Sequence, residues 1–256
     1  MEECISVVIP VYNGGATLSM AVDSATGQAF VREILIIDDC SEDETAAIAR
    51  SYEQKNKKIK YIKNERNSGA AASRNRGVNL AAGEYIAFLD ADDYWTEGKL
   101  KAQLSLMKRT DAVLSSTARE LLHADGTQTG HIIPIKPRIT YRELLKHNSL
   151  SCSAVLAKRD VLLEFPMEHE DSHEDYITWL EIVRKYGFAV GLNKPYLKYR
   201  MSSASKSGTK LKSARMTYKA YRYAGLSVPA SLAYFISYTL HGIFKYYIAK
   251  TDKEQL

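Results

Sequence analysis

The 256-residue sequence predicts an α/β protein with a mostly parallel central sheet flanked by helices. Over residues 1–115, short apolar runs of strand length alternate with segments of helical periodicity, as in successive βαβ units. Apolar residues make up 45% and charged residues 25% of the chain, which is typical of an ordinary globular domain. This composition excludes collagen-like, disordered, disulfide-scaffold and multi-span membrane proteins.

The predicted elements follow one another in regular alternation as far as residue 115. Strands are predicted at 5–11, 33–37, 60–62, 84–89 and 112–115, and helices at 17–25, 43–54, 70–82 and 97–108. Ser41, with Glu44 three residues later, is predicted to cap the second helix, and Gly83 to end the third. Residues 116–170 are less regular apart from a turn at 123–126, and a strong helix is predicted at 174–186.

The net charge of +5 is unevenly distributed along the chain. Residues 1–181 hold 21 Lys+Arg against 28 Asp+Glu, a net charge of −7. Residues 182–251 hold 13 Lys+Arg and no acidic residue. The sequence therefore combines an acidic body with a basic C-terminal part.

Cysteine usage and the N-terminal residues indicate a cytoplasmic chain. Cys4, Cys40 and Cys152 are far apart and odd in number, which argues against a disulfide framework or a zinc site and fits a reducing compartment. The apolar segment 5–11 follows two glutamates and is too short for the hydrophobic region of a signal peptide. We interpret it as a buried first strand.

Polar residues follow three of the predicted strands, at the edge of the sheet where α/β proteins bind ligands. Asp90, Asp92 and Asp93 follow the strand 84–89, and their mutual repulsion costs free energy unless a cation compensates it. Mg²⁺ and Mn²⁺ prefer a few carboxylates together with phosphate oxygens. The alternative is an acidic turn that precedes the helix at 97–108.

Two further segments carry groups suited to a nucleotide. One carboxylate of Asp38-Asp39 can accept hydrogen bonds from a uracil N3–H or from ribose hydroxyls, although a turn and helix start would also explain the pair. Arg74 and Arg76 follow small residues on the next predicted helix and can donate to phosphate. The alternative is a solvated arginine on the helix surface.

Together these residues resemble family 2 of the inverting glycosyltransferases, whose members have the GT-A fold. The resemblance covers about residues 5–200 and is closest to small bacterial enzymes that build capsule, O-antigen or teichuronic acid. Each motif is weak alone, but five in register are specific. They are Ile9-Pro10-Val11-Tyr12-Asn13, Ile37-Asp38-Asp39-Cys40-Ser41-x-Asp43, Asn67-x-Gly69-x4-Arg74-Asn75, the run from Gly83 to Asp93, and His173-Glu174-Asp175.

The resemblance implies transfer of one sugar, with inversion, from a nucleoside diphosphate sugar, commonly a UDP-sugar, to an acceptor hydroxyl. Asp90-x-Asp92 corresponds to the family's DxD motif, with Asp92 the main ligand of Mg²⁺ or Mn²⁺ and Asp93 an adjacent candidate. Asp175 corresponds to the catalytic base, and Glu174 is the second candidate. The implied nucleotide-sugar-binding residues are Pro10 and Tyr12 at the base, Asp39 at the base or ribose, Arg74 near the phosphates, and Asn13, Asn67, Asp90, Ala91, Asp92 and Arg200.

The resemblance also suggests a division of the chain. Residues 1–208 would form the GT-A domain, with a nucleotide-sugar-binding half at 1–115 and an acceptor and catalytic half at 116–208. A loop at 199–207, with Arg200 and Lys206, would close over the diphosphate. Residues 209–256 would form a basic helical extension. Cys40 stands where the family usually has glycine, and the chain lacks the QxxRW motif and spanning helices of processive members, which favours addition of a single sugar.

An amphipathic helix is predicted from Pro229 to Ala249, beyond five further cations. The apolar side of this helix fits a lipid–water interface at the inner face of the cell membrane. Packing of the same side on the domain, or on a second subunit of a homodimer, fits equally well. Its apolar residues are Leu232, Phe235, Ile236, Leu240, Ile243, Phe244, Tyr247 and Ile248, and its facing side carries Ser231, Tyr238, His241 and Lys245.

Two other functions stay open at this point. A polyprenyl-phosphate sugar transferase would use the same donor with a phosphate acceptor, and a catalytically silent protein would only bind the nucleotide sugar. The set of acids at Asp39, Asp90, Asp92 and Asp175 argues against the silent protein. Binding of nucleic acid is disfavoured, because the aromatic residues of the basic part follow a helical stripe and do not alternate with its cations.

Overall fold

The computed structural model describes residues 4–201 and 210–251, and its strands join into one mixed sheet. The path through the sheet is β3-β2-β1-β4-β9-β6-β10-β5, with β7 paired to β6 and β8 to β10. The strands are β1 (Ile5–Val11), β2 (Val31–Asp38), β3 (Ile59–Lys63), β4 (Tyr85–Phe88), β5 (Tyr94–Trp95), β6 (Leu114–Leu122), β7 (Gln128–Ile133), β8 (Arg138–Thr140), β9 (Leu156–Lys158) and β10 (Phe188–Arg200).

Nine helices of the described residues cover this sheet. They are α1 (Leu18–Thr26), α2 (Thr45–Lys55), α3 (Gly69–Leu80), α4 (Lys99–Thr110), α5 (Tyr141–Lys146), α6 (Arg159–Glu164), α7 (Glu174–Tyr186), α8 (Lys210–Tyr223) and α9 (Val228–Thr251). A short 3₁₀ turn at Cys152–Ala154 precedes β9. The bounds predicted for β1 and α7 are confirmed to the residue.

The first half of the sheet has the predicted parallel order. β1 lies between β2 and β4, with Val11 opposite Asp38 and Val8 opposite Phe88, and β3 lies outside β2. All four strands run in the same direction, so the residues that follow β1, β2 and β4 emerge at one edge. This edge is where the sequence analysis expected a ligand.

Beyond β4 the sheet is mixed, and most of its strands were not predicted. β9 is antiparallel to both β4 and β6, whereas β6 and β10 are parallel. β6 extends to Leu122 and is much longer than the predicted strand at 112–115. The predicted domain boundary after residue 115 falls within β6 and the one after residue 208 falls outside the described residues, so the domain division stays a prediction.

Two predicted helix signals act differently in the structure. Ser41 does not cap α2; its Oγ accepts a hydrogen bond from the Asn13 backbone N–H at 2.9 Å, and Glu44 is the residue before the helix. Gly83 does not end α3, which stops at Leu80. The Gly83 backbone N–H donates to Ser6 Oγ at 2.9 Å, and a Cβ added at Gly83 would lie 2.6 Å from the Ser6 backbone nitrogen. Both residues connect neighbouring loops and strands instead.

Alternate residues of β1 face two separate cores, as strand geometry requires. Val8 belongs to the core beneath α3 and α7, together with Phe88 and Trp179. Val7 and Ile9 belong to the core beneath α1 and α4. The sheet is therefore covered on both faces, as the alternation of strands and helices predicted.

The C-terminal helices lie against α5 and α7, and α9 turns an unexpected side to the domain. Ser231 is buried, and the Tyr238 ring lies 6.5 Å from that of Tyr176. Leu232 and Ile236, which the sequence placed on the apolar stripe, are exposed. These two residues therefore do not pack on the domain, whereas Phe235 of the same predicted stripe does, with its ring 6.2 Å from that of Tyr218. The stripe residues predicted from Leu240 onward lie on α9, but their side chains are outside the described part of the structure.

Among residues 4–201 and 210–251, none of the helices has both the length and the apolar content that crossing a bilayer would need.

We expect Gly77→Ala to destabilise the protein by about 1–3 kcal/mol, because it overpacks the contact between α3 and β1. An added Cβ would lie 2.3 Å from Val8 Cγ1, at a fully buried strand residue. The measurement is the free energy of unfolding in urea. Gly27→Ala is the matched control, since its nearest heavy atom would lie 3.8 Å away. Equal stabilities of the two variants would contradict the packing argument.

Candidate active site

A cleft of about 510 Å³ opens at the carboxyl ends of β1, β2 and β4. Val11, at the end of β1, and residues that follow β1, β2 and β4 form part of its wall, and the start of α3 and the end of β10 complete it. The cleft thus lies at the predicted edge. Of the residues singled out from the sequence, those that line it are Pro10, Tyr12, Asn13, Asp39, Arg74, Asp90, Ala91, Asp92 and Arg200.

The loop after β1 is held in place by its own polar groups. Asn13 adopts a left-handed backbone conformation with φ 48°, and its Oδ1 accepts a hydrogen bond from the Glu42 N–H at 2.9 Å. Tyr12 is exposed at the mouth of the cleft. Cys40, in the facing loop, has φ 69°, a conformation that favours glycine. This explains why the related family usually has glycine at that position.

Asp39 joins the end of β2 to the start of α3. Its Oδ1 accepts from Asn64 Nδ2 at 2.7 Å and from the Ser68 N–H at 2.9 Å, and its Oδ2 accepts from the Gly69 N–H at 2.7 Å. The carboxylate is thus fixed at the N-terminal end of a helix, where the helix dipole favours negative charge. Asn67 lies in the same loop but does not line the cleft.

The three acids after β4 divide between two environments. Asp90 and Asp92 line the cleft. Asp93 is buried, and its Oδ1 accepts the backbone N–H of Arg200 at 2.8 Å. Burial, together with the charges of Asp90 and Asp92, raises the pKa of Asp93 well above its usual range. The pair that faces the cleft is therefore Asp90-x-Asp92, and Asp93 positions the end of β10.

Arg74 bridges two acids from distant parts of the chain. Its Nη2 donates to Asp90 Oδ1 at 2.6 Å and its Nη1 to Glu174 Oε1 at 3.1 Å, and only 8% of its side chain is exposed. The sequence placed this arginine near donor phosphates. The structure places it at the wall of the cleft with two of its nitrogens already bound to carboxylates, so organising the acids is the role that its contacts show.

Asp175 follows Glu174 in the first turn of α7. Burial and the neighbouring charge of Glu174 raise its pKa to about 6, against the opposing effect of Arg74. Its Oδ1 accepts the N–H of Tyr176 at 2.7 Å. Asp175 does not line the cleft itself, but Arg74 connects its neighbour to Asp90 at the cleft wall. A carboxylate with this pKa can take up a proton near neutral pH.

Ser153 is a site residue that the sequence analysis missed. It is fully buried in the 3₁₀ turn before β9, its Oγ accepts the Asp90 N–H at 3.1 Å, and its carbonyl accepts from Trp95 Nε1 at 2.7 Å. Ser153 thus holds the loop of Asp90, Asp92 and Asp93 in place through its hydrogen bond to the Asp90 backbone. One small polar residue in an irregular region offers no sequence signal for this role.

Arg200 fixes the end of β10 to the acidic loop. Its Nε donates to the carbonyl of Asp92 at 3.1 Å and its Nη1 to the carbonyl of Ala124 at 2.9 Å. The end of the last strand thereby forms part of the cleft wall. Lys206, which was expected to act with Arg200, lies outside the described residues.

The carboxylate ligands at the cleft fit a divalent cation that is bound jointly by the protein and a substrate. Asp90 and Asp92 are hard oxygen ligands, and Mg²⁺ is commonly bound by one or two carboxylates together with substrate phosphates. Within the described ranges there is no group of three or more His, Cys, Asp or Glu side chains placed to hold a metal without further ligands. A metal at this site would need oxygen atoms from the donor.

Comparison with known proteins agrees with this geometry. Residues 6–163 match the profile of Glycosyl transferase family 2. The chain is 35% identical over 219 residues to the putative teichuronic acid biosynthesis glycosyltransferase TuaG of Bacillus subtilis (strain 168), covering 85% of this chain and 87% of that protein. It is 32% identical over 252 residues to the Escherichia coli UDP-Glc:alpha-D-GlcNAc-diphosphoundecaprenol beta-1,3-glucosyltransferase WfaP, covering 98% of each.

Solved structures share the fold at lower identity. S. aureus TarS 1-349 in complex with UDP-GlcNAc superposes with a TM-score of 0.71 at 20% identity, over 92% of this chain and 70% of that one. The mannosyltransferase PcManGT from Pyrobaculum calidifontis, in complex with GDP-Man and Mn²⁺, gives 0.71 at 15% identity, over 93% and 69%. The predicted GT-A fold is confirmed.

We expect Arg74→Met to destabilise the protein by about 3 kcal/mol, because it leaves the buried Glu174 carboxylate without its cation. Glu174 has only 7% of its side chain exposed. The measurement is chemical unfolding of the single variant and of Arg74→Met/Glu174→Gln, which should recover part of the loss. The two residues would be uncoupled if their effects simply added, so that Glu174→Gln lowered the free energy of unfolding equally in the wild-type and Arg74→Met backgrounds. In that case the bridge would not contribute to stability.

Proposed function

The chain belongs to glycosyl transferase family 2, and on that premise we propose a metal-dependent inverting enzyme that moves one sugar from a UDP-sugar to a hydroxyl group. It is a glycosyltransferase of bacterial surface polysaccharide synthesis, as the family and its relatives show. One observation carries the finer proposal. Two carboxylates face the cleft at Asp90 and Asp92, and Arg74 links Asp90 to the helix turn that holds Asp175.

The cleft offers the groups that a nucleoside diphosphate needs. In the proposed binding mode Pro10 and Tyr12 flank the base, and Asn13 and Asn67 support the loops around it. Asp39 accepts from the base or the ribose, since its Oδ2 has one bonded N–H and room for a second donor. A uridine donor is supported by the TarS complexes with UDP and UDP-GlcNAc and by the UDP-Glc specificity in the name of WfaP.

Asp92 is the proposed main ligand of Mg²⁺ or Mn²⁺, with Asp90 as its partner and Ala91 between them. Arg74 holds Asp90 in place and Ser153 fixes its backbone, so the pair is preorganised toward the cleft. A divalent ion bound there with the donor diphosphate supplies charge neutralisation of the leaving nucleoside diphosphate. Arg200 lies at the same wall, where it can donate to the diphosphate.

Asp175 is the proposed general base. The oxygen of the acceptor hydroxyl forms a bond to the anomeric carbon, the bond from that carbon to the diphosphate oxygen breaks, and the hydroxyl proton passes to Asp175. Attack from the side opposite the leaving group inverts the configuration. Glu174 is hydrogen-bonded to Arg74, so its carboxylate is engaged in the bridge, and the proton transfer is assigned to its neighbour.

The proposed acceptor is a sugar linked through a diphosphate to a membrane lipid, as the name of WfaP states for that protein. The proposed reaction therefore takes place in the cytoplasm at the inner face of the cell membrane. In this proposal residues 1–115 bind the donor, 116–208 contribute the acceptor and catalytic half, and 209–256 form the extension. A base at Asp175 suits a hydroxyl acceptor better than a phosphate, whose oxygen is already ionised.

We expect UDP-sugars to raise the melting temperature of the protein more strongly with Mn²⁺ than without it, because the ion joins the diphosphate to the acidic loop. Asp92→Asn should abolish the Mn²⁺-dependent part of the shift. Asp93→Asn is the matched control, since Asp93 faces away from the cleft and an amide can still accept the Arg200 N–H. The measurement is a thermal-shift screen of nucleotide sugars.

Two outcomes would contradict this proposal. If no nucleotide sugar stabilised the protein, the cleft would not be a donor site. If Asp93→Asn removed the Mn²⁺ effect and Asp92→Asn kept it, the metal pair would be assigned wrongly. A product with a sugar phosphodiester in place of a glycosidic bond would contradict the hydroxyl acceptor and favour a polyprenyl-phosphate sugar transferase.

We expect kcat/KM to fall about tenfold for each pH unit below about 6, because protonated Asp175 cannot accept the hydroxyl proton. Folding raises the pKa of Asp175 to about 6. The carboxyl group is therefore mostly deprotonated, as a base must be, only above about pH 6. Asp175→Asn should lower kcat by about 10²–10⁴-fold, whereas Asp160→Asn, an exposed acid on α6, should leave the profile unchanged. Full turnover by Asp175→Asn would overturn the assignment, and loss of turnover on Glu174→Gln with an intact fold would transfer it to Glu174.

A further inference from the structure

Residues 166–172, which we call the anchor segment, lead into the turn that holds Asp175 and are bound by both α3 and α8. On α8, the Met216 carbonyl accepts a hydrogen bond from Ser172 Oγ at 2.8 Å. The other helix, α3, carries Arg74 and forms part of the cleft wall. The chain just before the proposed base is therefore fixed by two helices, one of which belongs to the cleft.

Asn75 of α3 binds the backbone of the anchor segment twice. Its Nδ2 donates to the Met167 carbonyl at 2.7 Å, and its Oδ1 accepts the Met167 N–H at 2.9 Å. A side-chain amide that engages both backbone groups of one residue fixes the position and the orientation of that residue. Met167 is buried, so the loss of these two hydrogen bonds would be costly. Asn75 thus has a contact that explains its place in the sequence motif after Arg74.

Glu170 of the anchor segment binds the first turn of α3. Its Oε1 accepts the Ala71 N–H at 2.7 Å, which is one of the N–H groups that have no partner within their own helix. The carboxylate lies so close to Gly69 that a Cβ added there would collide with it. Asp39 accepts the N–H groups of Ser68 and Gly69. The start of α3 is therefore bound by one carboxylate from the nucleotide side and by one from the anchor segment.

The three contacts of α3 with this part of the chain lie on one face of the helix. Ala71, Arg74 and Asn75 are spaced i, i+3 and i+4, which places them side by side. Arg74 binds Glu174 in the first turn of α7 through opposite charges, whereas the other two contacts bind the anchor segment through hydrogen bonds. One face of α3 therefore fixes both the start of α7 and the chain that precedes it.

We propose that Asn75 and Glu170 are positioning residues, which hold the anchor segment so that Asp175 meets the attacking hydroxyl at the correct distance from the donor. The inference rests on the proposed function, since it concerns the base assigned there. Neither Asn75 nor Glu170 is among the residues that line the cleft, so both act through the anchor segment and not on the donor. A displacement of about 1 Å between reacting groups can lower a rate by about 10²-fold.

The first measurement is hydrogen exchange of the backbone amides in the anchor segment and in the first turn of α7, in the full chain. Asn75→Ala should speed this exchange by about tenfold, because it removes both hydrogen bonds to Met167. Asn79→Ala is the matched control, since Asn79 is an exposed asparagine of the same helix whose Nδ2 donates to the Asn75 carbonyl at 2.9 Å, within α3 itself. It should leave the exchange of these amides unchanged.

The second measurement is the release of UDP from the UDP-sugar that gives the largest thermal shift, with water in place of the acceptor hydroxyl. Asn75→Ala should lower kcat by about 10–100-fold and change the donor KM by less than about twofold. Glu170→Ala should lower kcat by about tenfold, and Glu170→Gln should restore most of it, because an amide oxygen can still accept the Ala71 N–H. Glu170 is exposed, so its variants test the proposal even if Asn75→Ala does not fold.

Several outcomes would overturn the inference and leave the proposed function intact. They are unchanged exchange in Asn75→Ala, an unchanged kcat in Glu170→Ala, a Glu170→Gln variant as slow as Glu170→Ala, and an equal loss of kcat in Asn79→Ala, which would assign the effect to the helix as a whole. Absence of any donor thermal shift in the wild-type protein would instead reject the proposed function, together with the role of the anchor segment in it.

Discussion

The buried guanidinium of Arg74 is the contact on which the site depends. It lies on α3 and holds Asp90, at the end of β4, and Glu174, at the start of α7. Three segments that are far apart in sequence are thus joined by one positive charge. Burying the Glu174 carboxylate without a cation would cost several kcal/mol. The bridge therefore stabilises the cleft edge of the sheet and the first turn of α7 together.

The same bridge separates the tasks of two neighbouring acids. Glu174 is bound by Arg74, whereas Asp175 accepts only a backbone N–H among the hydrogen bonds described for it, and burial raises its pKa to about 6. A similar division occurs in the acidic loop, where Asp90 and Asp92 face the cleft and Asp93 holds Arg200. In both places one acid is held by a structural contact, and a neighbouring acid is left for the role proposed for it.

The sequence predicted what depends on local pattern and missed what depends on distant partners. The alternation of β1 to β4 with α1 to α3 and the strand-end acids were predicted because periodicity and turn residues are local signals. The two-residue strand β5 exists only through its pairing with Leu197 and Lys198 of β10. Ser153 acts through a contact with a residue 63 positions away. The inward side of α9 likewise depends on aromatic partners that helical periodicity cannot identify.

The uneven charge of the chain is partly balanced by contacts between its two parts. The acids that line the cleft lie at the sheet edge, where Arg74 balances part of their charge. The cations of residues 182–251 have no acids within their own segment, but three of them form ion pairs with acids of the preceding part: Lys185 with Glu164, Lys198 with Glu120 and Lys219 with Asp171. The C-terminal part is therefore tied to the acidic part by charge, and Lys219 joins α8 to the loop that precedes α7.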